Sequence, residues 1–229
     1  MNRKLTASLL IVAAVLANVG FTALGSIFNY PDVLASFRDH EGAVRTWFAV
    51  LALSAALLAP IAIGVGRLSS TRAMRVAVWV GIAAAAVQVI GLLRWPILVP
   101  GYASDAASGD PSVAAGARDS FTTASDILGT AIGETLGYLF TATWTVLVIV
   151  ALGRRYAGRW FQVLGLASAG LVLVGVLGPL DPPGVDAANF IGYVLWSVWL
   201  IVFAAVIVVR ERRSAGSPST APGQEAVTS

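Results

Sequence analysis

Two ionisable side chains stand where a lipid-facing chain can least carry them. Arg94 lies in GLLRWPILVP and Glu134 in GTAIGETLGYLF, runs that are otherwise almost wholly apolar or small. An uncompensated arginine or acid at the centre of a membrane helix costs about 2.5–3.5 kcal/mol on insertion scales, so such a residue is kept for a partner or a task. At about 1.5 Å of rise per residue, Arg94 lies roughly 9 Å below the outer end of its helix, and Glu134 roughly 10–18 Å below that of the next. The two helices are neighbours in sequence, and the simplest arrangement is an Arg94–Glu134 pair. Such a pair is either a clasp, with Arg94 snorkelling outward and Glu134 paired or protonated, or a working site in which Glu134 handles a proton.

Other polar residues gather at the same level. Glu134 shares helical spacings of three and four with Thr130, Tyr138, Thr141 and Thr145. Beside this stripe runs Gly129, Gly133 and Gly137, a doubled small-xxx-small seam that lets two helix backbones approach closely. The first helix offers Asn18, Thr22, Ser26 and Asn29, the third Gln88 and Trp95, and the sixth Asn189, Tyr193 and Ser197. We expect Asn18, Asn29, Gln88, Trp95, Tyr138, Asn189 and Tyr193 to line a polar cavity open to the outside, between helices 1, 3, 4 and 6. Trp95, Tyr138, Trp144 and Trp196 are its expected aromatic walls. For any one of these residues the plainer reading is an interhelical hydrogen bond, averaging about 0.6 kcal/mol. Their concentration in the outer halves of several helices is what argues for a shared cavity.

Several chemistries are excluded. The chain has no cysteine, which removes thiolate metal sites and cysteine nucleophiles. Its one histidine, His40, lies in Arg38-Asp39-His40-Glu41, where consecutive side chains diverge rather than converge on a metal. No phosphate-binding loop, dinucleotide fingerprint, zinc-protease motif or serine-hydrolase elbow occurs. The expectation is no metal and no cofactor.

The elements that position these residues follow from hydropathy. The 229 residues are 57% hydrophobic and 12% charged, with a mean hydropathy of +0.81. Soluble domains carry about 25% charged residues, so this chain lacks a water-facing shell and the bilayer must solvate it. Six apolar runs reach the roughly 20 residues that span a hydrocarbon core. They fall near Leu5–Phe28, Val44–Val65, Met74–Leu98, Ile127–Leu152, Phe161–Leu180 and Ala188–Val209. The expected fold class is all-α, a polytopic transmembrane bundle occupying 1–213, followed by a disordered tail at 214–229. The 101–126 segment reads as the longest loop, with room for a short surface helix. The 29–42 segment reads as a polar loop.

Arg3 and Lys4, then Arg67, Arg72 and Arg75, then Arg154, Arg155 and Arg159, then Arg210, Arg212 and Arg213 all fall on one side of a six-span chain. Asp32, Asp39, Glu41, Asp105, Asp110, Asp119, Asp126, Asp181 and Asp186 fall on the other, with only Arg38, Arg45 and Arg118 against them. Basic loops stay inside, so both termini are expected in the cytoplasm, with the protein multi-pass in the cell membrane. This placement also accounts for the net charge of +3 without a nucleic-acid partner. The partners expected are the lipid bilayer, a small-molecule ligand and a second copy of the chain. An alternative for the first run is a cleaved signal peptide, which would leave the orientation of the other five unchanged.

A weak repeat links helices 4 and 6. Gly137-Tyr138 precedes Trp144 at the spacing by which Gly192-Tyr193 precedes Trp199, and Arg154 and Arg210 close the two helices. Duplicated helical hairpins or shared membrane grammar would each produce this.

Four segments together resemble a known group: FNYPDVL at Phe28–Leu34, GLLRWPILVP at Gly91–Pro100, GETLGYLFTATW at Gly133–Trp144 and GYVLWSVWL at Gly192–Leu200. They are similar to bacterial six-helix membrane proteins of the domain-of-unknown-function 4386 type. The resemblance covers most of the chain except the tail and implies a six-helix architecture in a bacterial membrane. It also picks out Arg94 and Glu134. Such proteins commonly carry a histidine where Thr135 stands here, and that departure argues against histidine chemistry in this member.

Three functions fit the sequence. One is binding or transport of a small, partly apolar compound, with Glu134 as the proton-responsive group. Another is a membrane-embedded enzyme acting on a lipid or isoprenoid, with Glu134 as general acid and aromatic side chains steadying a cationic intermediate. The last is a structural or regulatory subunit without chemistry.

Overall fold

In a bilayer the backbone must satisfy its own hydrogen bonds, and apolar runs of this length do so as helices. The computed structural model describes residues 2–27 and 32–215. Within them the chain is all-α, without strands. Six helices are long and apolar enough to cross a membrane: Arg3–Gly25, Glu41–Gly66, Arg72–Asp105, Pro111–Leu152, Tyr156–Leu180 and Val185–Arg213. They are the first to sixth spans below. Asn29 and residues 216–229 of the expected tail lie outside the described residues.

Local chemistry sets the ends and bends. The Asn2 side chain accepts from the Leu5 N–H at the start of the first span, and the Thr71 hydroxyl accepts from the Met74 N–H at the start of the third. Gly153, at φ 66°, ends the fourth span in a conformation that favours glycine. In the second span, Pro60 has no N–H for the Ala56 carbonyl, and the helix breaks at Leu57 into Glu41–Ala56 and Leu58–Gly66. In the third, Pro96 and Pro100 flank a break at Leu98.

The spans pack in a closed ring in chain order, each against its sequence neighbours, with the sixth against the first. At the end that carries the arginine clusters the ring is filled. Trp144, Trp199 and Phe203 are fully buried there, and the Trp144 and Trp199 rings meet edge to face at 5.9 Å. Trp199 Nε1 donates to the Phe161 carbonyl at 3.2 Å.

The opposite end differs from the expected loops. A helix at Val33–Asp39 stands within the 29–42 segment, begun by Asp32, whose carboxylate accepts from the Leu34 and Ala35 N–H groups. The 101–126 segment is largely helical: Val99–Asp105 continues the third span beyond its break, and Pro111–Ala124 runs directly into the fourth. Asp110 caps the latter and Pro111 occupies its first turn, a start signal visible in the sequence. These pieces form a second small core around Trp95, with Leu34, Phe37, Val44, Val99, Ala103 and Ala117. Trp95 stacks on Phe48 at 4.6 Å with 8° between the rings. The hairpin between the third and fourth spans is therefore a packed cap.

Candidate functional site

Between the filled end and the cap the ring encloses a cavity of about 630 Å³. It lies in the halves of the spans remote from the arginine clusters. The first, second, third, fourth and sixth spans line it. The fifth contributes nothing, and the second, which sequence reasoning left out, supplies Phe48, Leu51, Ser54 and Leu58.

The wall that carries Glu134 is unusual. Residues Ser125–Leu136 form a π-helix, a wider turn with hydrogen bonds from i to i+5, before the fourth span resumes as α-helix at Gly137. The three seam glycines all face the third span. A Cβ on Gly129 would stand 2.6 Å from the Arg94 guanidinium carbon, and one on Gly137 would stand 2.9 Å from the Gln88 side chain. At Gly133 the neighbour is the backbone of Gly91. At Gly133 a Cβ would meet backbone and push the third span away; at Gly129 and Gly137 it would displace the Arg94 and Gln88 side chains, so the seam is what lets those side chains lie against the fourth span.

The expected stripe on the fourth span reaches the cavity only in its middle, across the change from π- to α-helix. Glu134 and Tyr138 line the cavity, and Thr130 does not. Thr141 and Thr145 lie buried beneath the floor and serve as acceptors: Gln88 Nε2 donates to Thr141 at 2.9 Å, and Trp196 Nε1 donates to Thr145 at 2.9 Å. These bonds hold Gln88 and Trp196 in the cavity wall. Trp144, expected as an aromatic wall, belongs to the filled end instead, fully buried against Trp199.

Arg94 and Glu134 share the cavity, and no ion pair joins them among the described residues. Arg94 turns back along its own helix. Its Nη1 donates to the Gly91 carbonyl at 2.6 Å, and its guanidinium lies 5.4 Å from the Trp95 ring centre. Pro96 leaves the Leu92 carbonyl without its α-helical donor, and Leu92 also lines the cavity. Of the other expected residues, Asn18, Gln88, Trp95, Tyr138, Asn189 and Tyr193 all line it. Asn18 Nδ2 donates to the Ser197 hydroxyl at 2.9 Å, joining the first and sixth spans. Asn189 Nδ2 donates to the Val172 carbonyl at 2.9 Å, tying the sixth to the fifth. The Tyr138 and Tyr193 rings meet edge to face at 5.8 Å. Asn29 lies outside the described residues.

One charged residue was not anticipated. Asp186, in the first turn of the sixth helix, also lines the cavity. Its place was readable as an acid opening a helix, but not the direction it faces. The site thus holds two carboxylates and one arginine, with Phe21, Phe48, Trp95, Tyr138, Tyr193 and Trp196 among its walls.

Six apolar spans ringed about a largely apolar pocket with a few polar groups define an integral membrane protein of the polytopic helical class. The chain belongs to the family described as domain of unknown function 4386 (DUF4386), whose model matches residues 5–204. Comparison with curated proteins and with solved structures gave no match.

Proposed function

We propose that the protein binds or transports a small, partly apolar compound through this cavity, with Glu134 as its proton-responsive group. The observation that supports the reading is the single volume of about 630 Å³ shared by Arg94, Glu134, Asp186 and several amide and phenol groups within largely apolar walls. Ligand pockets have this form, mostly apolar with a few placed polar groups and about 300–1,000 Å³ in size. Arg94 is engaged by the Gly91 carbonyl, and the carboxylates outnumber it, so the site suits a ligand with a hydrogen-bond-donating or cationic group. The arginine clusters orient the chain with both termini in the cytoplasm of a bacterial cell, which turns the cavity outward.

A second reading gains from Asp186. Two carboxylates and aromatic walls in one cavity would also serve an enzyme that protonates a lipid or isoprenoid, with Glu134 as general acid.

Mass spectrometry of small molecules extracted from the purified protein tests the proposal. The wild type should retain a compound that Glu134→Gln loses while remaining folded and monodisperse in detergent. A wild type that carries no compound, and is not stabilised by any member of a small-molecule panel, would point to a structural subunit. Recovery of a chemically altered product would favour the enzyme.

A further inference from the structure

The ring closes around the cavity unevenly. The exposed residues of its wall gather on two spans: Phe21 and Gly25 on the first, and Asp186, Phe190 and Val194 on the sixth. Glu134 is the one other exposed residue among the described lining. Phe21 is 50% exposed and Phe190 62%, although both line the cavity. Tyr138, Tyr193 and Trp196 in the same cavity are less exposed.

Elsewhere the seams are tight. A Cβ on Gly20 of the first span would stand 2.7 Å from the Leu51 side chain of the second. Phe48 of the second stacks on Trp95 of the third. Gly91 and Gly133 join the third and fourth through backbone. A Cβ on Gly192 of the sixth would stand 2.6 Å from the Val172 backbone of the fifth, the residue whose carbonyl also accepts from Asn189. The first and sixth spans differ. They pack together in their inner halves, where Leu10 and Phe203 belong to one core. Among the described residues, the outermost hydrogen bond between them is that of Asn18 to Ser197. Beyond it, no described residue stands within 4 Å of a would-be Cβ on Gly25, although Gly25 lines the cavity. The two spans therefore part toward their outer ends and leave a side opening edged by Phe21, Gly25, Phe190 and Val194. From Asp186 to Ser197 the opening runs roughly 16 Å along the sixth span at the helical rise.

An opening between two spans faces hydrocarbon along most of its length, and its Phe and Val edges suit that solvent. Its interior suits a cation. Asp186 stands at the outer end and Glu134 within, while Arg94 is engaged by the Gly91 carbonyl. The rings of Tyr138, Tyr193 and Trp196 add faces that attract positive charge.

We propose that the ligand of the cavity is a membrane-resident cationic amphiphile, one apolar chain with an ammonium head, that enters from the outer leaflet between the first and sixth spans. The proposal rests on the reading of the cavity as a ligand site and names its ligand class and route. The head passes Asp186 to reach Glu134, and the chain lies in the opening against Phe21, Phe190 and Val194.

The test is photolabelling of the full-length protein in phosphatidylcholine nanodiscs. The probe is dodecylamine carrying a diazirine in its chain, and peptide mass spectrometry locates the label. Saturable labelling should fall on the segments that hold Phe21 and Phe190. Excess dodecylamine should compete it away, whereas dodecyl sulfate and propylamine should not. Gly25→Trp fills the opening where no neighbour obstructs it, and should abolish the saturable label while keeping Tm. Val194→Trp, from the opposite edge, is the second variant and should do the same. Gly170→Trp, on the fifth span, should keep the label. Glu134→Gln should weaken binding of the probe about tenfold, the order set by one charge-assisted hydrogen bond. Equal competition by dodecyl sulfate or by propylamine would overturn the ligand class. Saturable labelling that survives both tryptophan variants but falls in Glu134→Gln would overturn the route and leave the cavity a ligand site. No saturable labelling, in a protein that still yields a bound compound on extraction, would overturn the amphiphile and spare the proposed function.

Discussion

Gly91 and Gly133 meet backbone to backbone: a Cβ built on Gly91 would stand 2.6 Å from the Gly133 Cα, and one built on Gly133 would stand 2.9 Å from the Gly91 Cα. Arg94 follows one of these glycines by a single turn, and Glu134 is adjacent to the other. The crossing therefore fixes the separation of the two charged groups and the shape of the wall between them.

Gly133→Val should separate the third and fourth spans. Overpacking of this kind costs about 1–3 kcal/mol, here with backbone as the obstacle on both sides. A thermal melt in detergent should show a clear fall in Tm. Gly170→Ala is the contrast, since nothing stands within 4 Å of its would-be Cβ. Replacing a glycine inside a helix gains about 0.5–1 kcal/mol, so its Tm should hold or rise. An unchanged Tm in Gly133→Val would mean that the crossing is not tight.

Arg94 and Glu134 should be coupled, but weakly. A fully buried pair that loses one partner costs about 3–5 kcal/mol. Here the two share a cavity without a direct ion pair, and Arg94 is bonded to the Gly91 carbonyl. The double-mutant cycle of Arg94→Gln and Glu134→Gln should give an interaction at the low end of the roughly 0.5–3 kcal/mol range for neighbouring residues. Arg94→Gln should be the more destabilising single change, because it empties the seat on Gly129. Strict additivity would show that the charges do not sense each other, and a coupling above that range would show that they meet directly.

The parts of this arrangement differ in how far sequence reveals them. The spans were legible because apolarity over about 20 residues is a local property with one outcome in lipid. Arg94, Glu134, Asn18, Gln88 and Tyr193 were legible as costly residues, since each needs a reason to be away from water. The Glu134 wall was less so: spacings of three and four assume an α-helix, whereas Ser125–Leu136 is wound as a π-helix. Nothing in SDILGTAIGETL alone sets that turn, and its contacts with Arg94 and Gly91 come from another span. The 101–126 segment read as a loop because its Ala, Ser, Gly and Asp residues make no long apolar run, although Asp110-Pro111 marked a helix start. Leu51 and Leu58 of the second span escaped notice because an apolar residue facing a cavity looks like one facing lipid.

Asp110 provides a pH test of the cap. Its carboxylate accepts from the Ser112 N–H at 2.8 Å and from the Ser112 hydroxyl at 2.7 Å, and these bonds hold its pKa below the ordinary carboxylate value. A carboxylate depressed in the folded state contributes stability that is present above its unfolded pKa and lost as pH falls through the folded one. Amide exchange at Ser112–Ala114, corrected for the intrinsic pH dependence, should therefore lose protection on acidification below the ordinary carboxylate range. Asp110→Asn should flatten that dependence. Protection that is independent of pH in the wild type would show that the cap does not rely on the charged carboxylate.

The central claim is that the cavity, largely apolar with a few charged and hydrogen-bonding groups, is reached from the side of the membrane opposite the arginine clusters. The chain has no cysteine, so single replacements report one site each. Cysteines at Asn18, Tyr138 and Tyr193, which line the cavity, should react in intact cells with a membrane-impermeant thiol reagent. Cysteines at Ala77 and Ser168, both fully buried, should not, and one at Arg72 should react only after the cells are opened. Protection of all three cavity sites in intact cells, or reaction of Arg72→Cys without lysis, would contradict the account.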